Sequence, residues 1–500
     1  MSGMRRLEWP LHIVRRVVIG VVVLAVLAVA IPLGIRWIGD VRARCDDGVV
    51  KRGENKECVG VTDGSYHFAG HLAAVVKKIK EENDKVSKEA EEGEPYVSVA
   101  YLTSFTLTND DSNSEDSVRH ELEGAYLAQY RHNRGDLASS PKIRLLIANT
   151  GSSSAHWNYT VDELIDRMDS ADKLVAVTGL GPSTDPNLEA LRKLSKSGLA
   201  TVASTMTATN IQGISGFVRV SPTNVDEAYA ATAYLKGSTK LRTAVVVQDA
   251  AKTNLYAATL GTAFTEAFPD KKTGHRLVAE RMTFDSSVPG GAWKNELRYF
   301  PAQLCDTRPQ VIYFAGRGRH LTNFLDSLAN RSCTDHTFTV LAGDDTSNLD
   351  REQIAHAVEN DVTVLFTGLA HRDMWRADPR RVSERSARYF QQGGQMDEWF
   401  PTDDRYDGQD IMAHDAVLTA AEGIRMAAIG GPDSVTGITV RRMFHQMNGP
   451  QQVAGASGFI SFQNNGNPRN KAVPILRLNA QGRAELVEVS SAQGKPPEGQ

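Results

Sequence analysis

The sequence predicts an α/β protein of two lobes, each a doubly wound, mostly parallel sheet, behind an N-terminal transmembrane helix. Three observations lead there. From Tyr96 onward short β-branched runs alternate with longer helical patterns, the 500 residues exceed what one compact core holds, and an apolar run of membrane-spanning length opens the chain.

The opening run, Val17 to Ile35, is almost wholly apolar and follows Arg5, Arg6, Arg15 and Arg16. Residues 17–36 therefore read as a single-pass anchor, with residues 1–16 in the cytoplasm and the remainder exported. Arg36, Arg42 and Arg44 on the far side lessen the charge asymmetry. Ala28-Val29-Ala30 has the small-x-small pattern of a signal-peptidase site, so cleavage after Ala30 is the alternative. The first cysteine, Cys45, lies too far beyond the run for a lipid anchor. The four cysteines form two local pairs, Cys45 with Cys58 and Cys305 with Cys333, both in the exported part, where an oxidising compartment closes disulfides.

Residues 37–95 form a juxtamembrane module that combines the Cys45 to Cys58 loop with an amphipathic helix within Ala73 to Glu94, where Val75, Val76, Ile79 and Val86 recur among Lys and Glu. The runs that read as strands are Tyr96–Leu102, Ile143–Ala148, Leu174–Thr178, Thr201–Ala203, Ala244–Gln248, Val311–Ala315, Thr337–Ala342 and Val362–Phe366. Helical patterns intervene at Ser117–Arg131, Asn187–Ser197, Val225–Lys236, Leu255–Phe268 and Leu321–Leu328. Asp373 to Arg405 is charged, shows no clear strand and reads as a surface excursion; Asp410–Met426 resumes a helix. Gly458–Phe462 and Val473–Leu478 read as a strand pair around Asn464-Asn465-Gly466. The polar tail, residues 490–500, reads as disordered.

With 56 basic against 60 acidic residues, no global field attracts nucleic acid. Histidine meets acid at His120-Glu121, His371-Arg372-Asp373 and His414-Asp415 without a His-x-x-x-His metal spacing, and no Gly-x-Ser-x-Gly nucleophile elbow occurs. The expectation is a protein that is not an enzyme, with no cofactor, no catalytic residues and no metal ligands.

In doubly wound sheets ligands bind beyond the carboxyl ends of the strands. The loop Gly179-Leu180-Gly181-Pro182-Ser183-Thr184 departs from a dinucleotide-binding turn, since Thr184 stands at the third glycine position and Pro182 intrudes. It leads into a helix, and the Ser183 and Thr184 hydroxyls with free N–H groups suit an anionic group; the same residues serve equally as plain N-caps. The next strand runs into Ala203-Ser204-Thr205 and further hydroxyls on the same edge, which a solvated turn would also explain.

In order, Thr178 to Ser183, Phe217 to Pro222, Thr243 to Asp249 before a helix, Pro309 to Gly316, and Gly455 to Gly466 resemble the type I periplasmic binding proteins, especially the branched-chain amino acid receptors of ABC importers. The resemblance runs from about Tyr96 to Val489. It implies one lobe from residues 96–221 and 369–455, another from 222–368 and 456–489, three crossovers, and hinge closure on a solute. By position, Ser183, Thr184, Ala203, Ser204 and Thr205 would hold the solute's polar head. The second lobe would contribute Asn254, Tyr256, Arg317 and Asp344 from the loops after Gln248, Ala315 and Ala342. Two departures put amino acid specificity in doubt: Thr253-Asn254-Leu255 replaces a Tyr-Gly pair, and Gly316-Arg317-Gly318-Arg319 stands where an acid often meets the amino group. Arg317 suits an anionic ligand or is a surface arginine; Asp344 and Asp345 suit a cation or simply form a turn. The implied partners are a small polar solute, such as an amino acid, and an ABC permease. The alternative is a surface sensor or protein-interaction module that works through a partner chain.

Overall fold

The computed structural model describes residues 13, 15–25, 43–109, 111–349, 351–376, 379–401 and 404–497. Residues 17–25 of the apolar run are helical and solvent-exposed. The rest of the predicted anchor, the Ala30 cleavage position included, lies outside the described residues. Among the described residues no helix is long and apolar enough to cross a membrane.

Two sheets organise the chain. The first has the strand order Arg44–Asp46, Val49–Arg52, Glu57–Thr62, Lys142–Asn149, Tyr96–Thr103, Leu174–Gly179, Ala200–Ala203 and Phe217–Arg219; its last five strands are parallel to one another. The second runs Arg276–Leu277, Thr243–Asp249, Val311–Ala315, Phe338–Ala342, Val362–Thr367, Ala472–Leu478 and Ala484–Ser491, with the last two antiparallel and Met282–Phe284 also paired to Thr243–Asp249.

Both faces of each sheet are covered, which is why the central strands read as continuous apolar runs rather than alternating ones. Successive side chains still alternate. Val99 and Tyr101 pack with Val75, Val118, Leu122 and Ile411 on one face, while Ala100 and Leu102 pack with Val161, Leu164 and Leu191 on the other. In the second lobe Val245, Val247, Ile312 and Phe314 face Leu297 and Phe324, and Val246 and Tyr313 face Leu260 and Phe264.

The chain passes between the sheets three times: from Phe217–Arg219 into helix Asn224–Gly237, from Val362–Thr367 towards helix Gln409–Ala427, and from Gly458–Ile460 into Ala472–Leu478. Helix Gln409–Ala427 returns to the first lobe and packs on helix Glu115–Asn133. Gly124 makes that crossing tight, because a Cβ there would lie 1.9 Å from the Asp410 carbonyl oxygen. The returning helix also pins the third crossing. The buried Asp415 carboxylate accepts from the Ala456 and Ser457 amides at 2.8 Å each and from His414 Nδ1 at 2.8 Å, and Lys471 Nζ donates to the Ser457 carbonyl at 3.1 Å.

Four expectations change. Residues 44–62 do not stand apart as a loop module: three strands extend the first sheet, and Glu57–Thr62 pairs antiparallel with Lys142–Asn149. Asp373 to Arg405 is no surface excursion, since Met374, Trp375, Val382, Phe390, Met396 and Phe400 spread widely through it and enter the first lobe's core. Gly458–Ile460 pairs with Val453–Gly455, and Ala472–Leu478 pairs with Ala484–Ser491; the predicted hairpin between them is reduced to a bridge from Phe462 to Pro468. The tail's first two residues, Ser490 and Ser491, end that last strand and are buried. Both cysteine pairs are closed, with Cα atoms 6.1 Å apart for Cys45–Cys58 and 5.5 Å for Cys305–Cys333.

Candidate functional site

Between the lobes lies a cavity of about 360 Å3. The first lobe lines it with Ser104, Ser153, Ser154, Pro182, Thr184 and Asn187; the second contributes Thr253, Asn254, Ser286, Arg317, Arg319 and His320. These residues sit just past the carboxyl ends of parallel strands. Ser104 follows Tyr96–Thr103, Ser153 follows Lys142–Asn149, Thr184 follows Leu174–Gly179, Asn254 follows Thr243–Asp249 and Arg317 follows Val311–Ala315. That is the crevice position expected of a doubly wound sheet.

Backbone geometry sets the first-lobe wall. Gly179, Leu180 and Gly181 take φ values of 87°, 70° and 66°, turning the chain sharply out of its strand. Leu180 holds this left-handed conformation without being glycine, its side chain buried. The turn places Thr184 at the N-cap of helix Asp185–Ser197 with no side-chain capping bond, and its Oγ1 has no hydrogen-bond partner. Ser183 points inward instead, its Oγ accepting from the Ala208 amide at 3.0 Å.

Arg317 reaches across the cavity from the second lobe. Its Nη2 donates to the Ser183 carbonyl at 2.8 Å, its guanidinium lies 4.7 Å over the Tyr256 ring, and Asp345 stands 3.5 Å away. With only 7% of its surface exposed, it is no surface arginine. Asn254 is committed locally: Nδ2 donates to Asp249 at 2.8 Å and Oδ1 caps the Ala257 amide at 3.3 Å. Asp344 lies behind the wall. Burial, with Asp345 beside it, pushes its carboxyl up to about 7. Glu227 Oε2 accepts from the Asp344 amide at 3.2 Å and from Thr367 Oγ1 at 2.6 Å, and burial next to Asp344 raises its carboxyl as well.

Of the residues nominated from sequence, the fold brings Thr184, Asn254 and Arg317 to the cavity. Ser183, Tyr256 and Asp344 stand behind it. Ala203 ends a buried strand, and Ser204 is fully buried, sharing a 3.2 Å contact with the Tyr101 hydroxyl, which donates to Glu121 at 2.7 Å. Thr205 is half-buried and outside the cavity lining. Sequence reasoning missed Ser104, Ser153, Ser154, Ser286 and His320. The rule that ligands meet loops after parallel strands would have found the first three, because their strands were legible.

No protein family profile and no curated protein sequence matches this chain. Solved structures do. A leucine binding protein from Thermotoga maritima aligns with a TM-score of 0.57 at 18% identity, over 79% of this chain and 98% of the other. A branched-chain amino acid transporter substrate binding protein from Streptococcus pneumoniae, in complex with isoleucine, gives 0.58 at 15% over 79% and 99%. An ABC transporter solute binding protein from Rhodopseudomonas palustris, in complex with 3,4-dihydroxy benzoic acid, gives 0.57 at 13% over 79% and 98%. The fold of this chain is therefore that of the type I periplasmic binding proteins.

Proposed function

We propose that this chain is an extracytoplasmic solute-binding protein that captures a small polar solute between its lobes and delivers it to an ABC importer. The observation that carries this reading is the interlobe cavity, walled by strand-end loops of both sheets and bridged by Arg317. A solute there would touch both lobes at once and so favour closure, because a ligand shifts such an equilibrium by its differential affinity for the closed form. Thr184, Asn254 and Arg317 are the proposed contact residues. The closed disulfides and the fold agree with an exported chain. The apolar run from Val17 would hold it at the membrane as a single-pass anchor. An amino acid or similarly sized polar molecule suits a cavity at the lower end of the roughly 300–1,000 Å3 range of small-molecule sites.

The test is thermal unfolding of the full-length chain in detergent against amino acids, short peptides, organic acids, sugars and nucleosides. A true ligand at a hundredfold excess over Kd adds about 2.7 kcal/mol, equivalent to about 5 to 10 °C for lobes of this size. No shift with any solute would overturn the reading and leave a protein-interaction module on a binding-protein scaffold.

A further inference from the structure

Arg317 occupies a cradle suited to a cation. The Ser183 carbonyl lies 2.8 Å from Nη2, Asp345 Oδ1 stands 3.5 Å from Nη1, and the Tyr256 ring faces the guanidinium at 4.7 Å. A carbonyl, a carboxylate and an aromatic face are all electron-rich, so together they select a positively charged donor over a neutral one. The carbonyl belongs to the first lobe, the ring and the carboxylate to the second. Anything bound here therefore ties the lobes together, as a solute in the cleft would.

Each wall of the cradle is held by contacts that do not involve the Arg317 side chain. Asp345 Oδ2 accepts from the Gly318 amide at 2.5 Å, and the Asp345 amide donates to the Tyr256 hydroxyl at 3.4 Å. Gly343 leaves room for Tyr256, since a Cβ there would lie 2.2 Å from the hydroxyl. The Ser183 loop is fixed from behind, its Oγ accepting from the Ala208 amide at 3.0 Å. The occupant, by contrast, is a single flexible side chain. Arg317 is the N-cap of helix Gly318–Ala329 without a side-chain capping bond, and it also lines the cavity of about 360 Å3, into which a displaced guanidinium can turn.

From this geometry we infer that Arg317 is a tethered ligand: it fills a guanidinium site in the cleft, and a guanidinium-bearing solute must displace it to be captured. The capture step rests on the reading of the cleft as a solute site. Ethylguanidinium consists of the atoms that Arg317→Ala removes. Thermal unfolding of the full-length chain in detergent, with Arg317→Ala and wild type each titrated with ethylguanidinium chloride, N-ethylurea and sodium chloride, tests the assignment. An internal competitor weakens apparent affinity in proportion to the fraction of sites it blocks. Ethylguanidinium is therefore expected to raise the melting temperature of Arg317→Ala at concentrations at least about tenfold below those that move wild type, and to return the variant's radius of gyration to the wild-type value. N-ethylurea, of similar shape without the charge, is expected to do neither. If the variant is unfolded alone, its refolding from urea with ethylguanidinium against N-ethylurea gives the same comparison. Equal responses of variant and wild type, or to ethylguanidinium and N-ethylurea, would overturn the inference. A silent variant beside a wild type that shifts with a solute of the unfolding panel would overturn it and leave the solute-binding reading standing. A responsive variant beside a wild type that ignores the whole panel would leave the filled site standing and overturn the solute-binding reading. Silence of both proteins would overturn both.

Discussion

Replacing Arg317 with methionine keeps most of the side chain's length and removes the guanidinium that crosses the cleft, and its consequences divide between closure and folding. The Ser183 contact at 2.8 Å exists only while the lobes are together. A hydrogen bond from a charged donor is worth about 1.5–3 kcal/mol, so its loss lowers the closed-to-open ratio by about tenfold to a hundredfold. Folding is affected separately. Asp345, itself buried, loses its cation at 3.5 Å but keeps the Gly318 amide at 2.5 Å. Breaking a buried pair costs about 3–5 kcal/mol, and the retained bond sets the expectation at about 3 kcal/mol. Small-angle X-ray scattering of the solute-free protein reads the first effect as a larger radius of gyration; urea denaturation reads the second. Arg317→Lys, which keeps charge without the planar fork, should fall between wild type and methionine in both. Superimposable scattering curves for Arg317→Met and wild type would refute the reasoning that this bridge holds the lobes together.

Three further outcomes are expected. Reducing Cys305–Cys333 frees a loop of 28 residues and should cost about 3.5 kcal/mol, against about 3 kcal/mol for the 13-residue Cys45–Cys58 loop, read by denaturation of the Cys→Ser pairs. Gly124→Ala forces a Cβ against the Asp410 backbone and should destabilise by about 3 kcal/mol, at the upper end for overpacking, as measured by urea denaturation. Burial holds His132 down at about 4 while Nε2 contacts the Pro141 carbonyl at 2.9 Å. The folded state therefore binds fewer protons there than the unfolded chain. Its contribution is present above pH 6.5 and lost as pH falls towards 4, about 3 kcal/mol in all; His132→Gln should flatten that part of the stability profile.

Much of the chain was legible because burial on two faces forces continuous β-branched runs. Val311–Ala315 has the predicted bounds, and the other central strands differ from expectation by one residue or two at their ends. Asp373–Arg405 was misread because its apolar residues are spaced irregularly among arginines and aspartates. A segment built of short helices and turns has no single period to betray that it is buried. The site was legible in part. Thr184 and Arg317 announced themselves as helix-starting residues just past strands, whereas Ser104 and Ser153 are hydroxyls like many others until two strand ends are known to face one crevice.

What the sequence determined by itself is the local chemistry: the alternation of strands and helices, the cysteine pairing by proximity, and the helix starts that follow each strand. Periodicity and turn residues express interactions between neighbours in the chain, and these survive without any tertiary context. What only the tertiary structure decided is every contact made at long range. Residues 44–62 join the first sheet by pairing with Lys142–Asn149, the Asp415 carboxylate holds the third crossing, and Arg317 meets a carbonyl 134 residues away. Each depends on where two distant backbones come together, and that is fixed by the packing of the whole core.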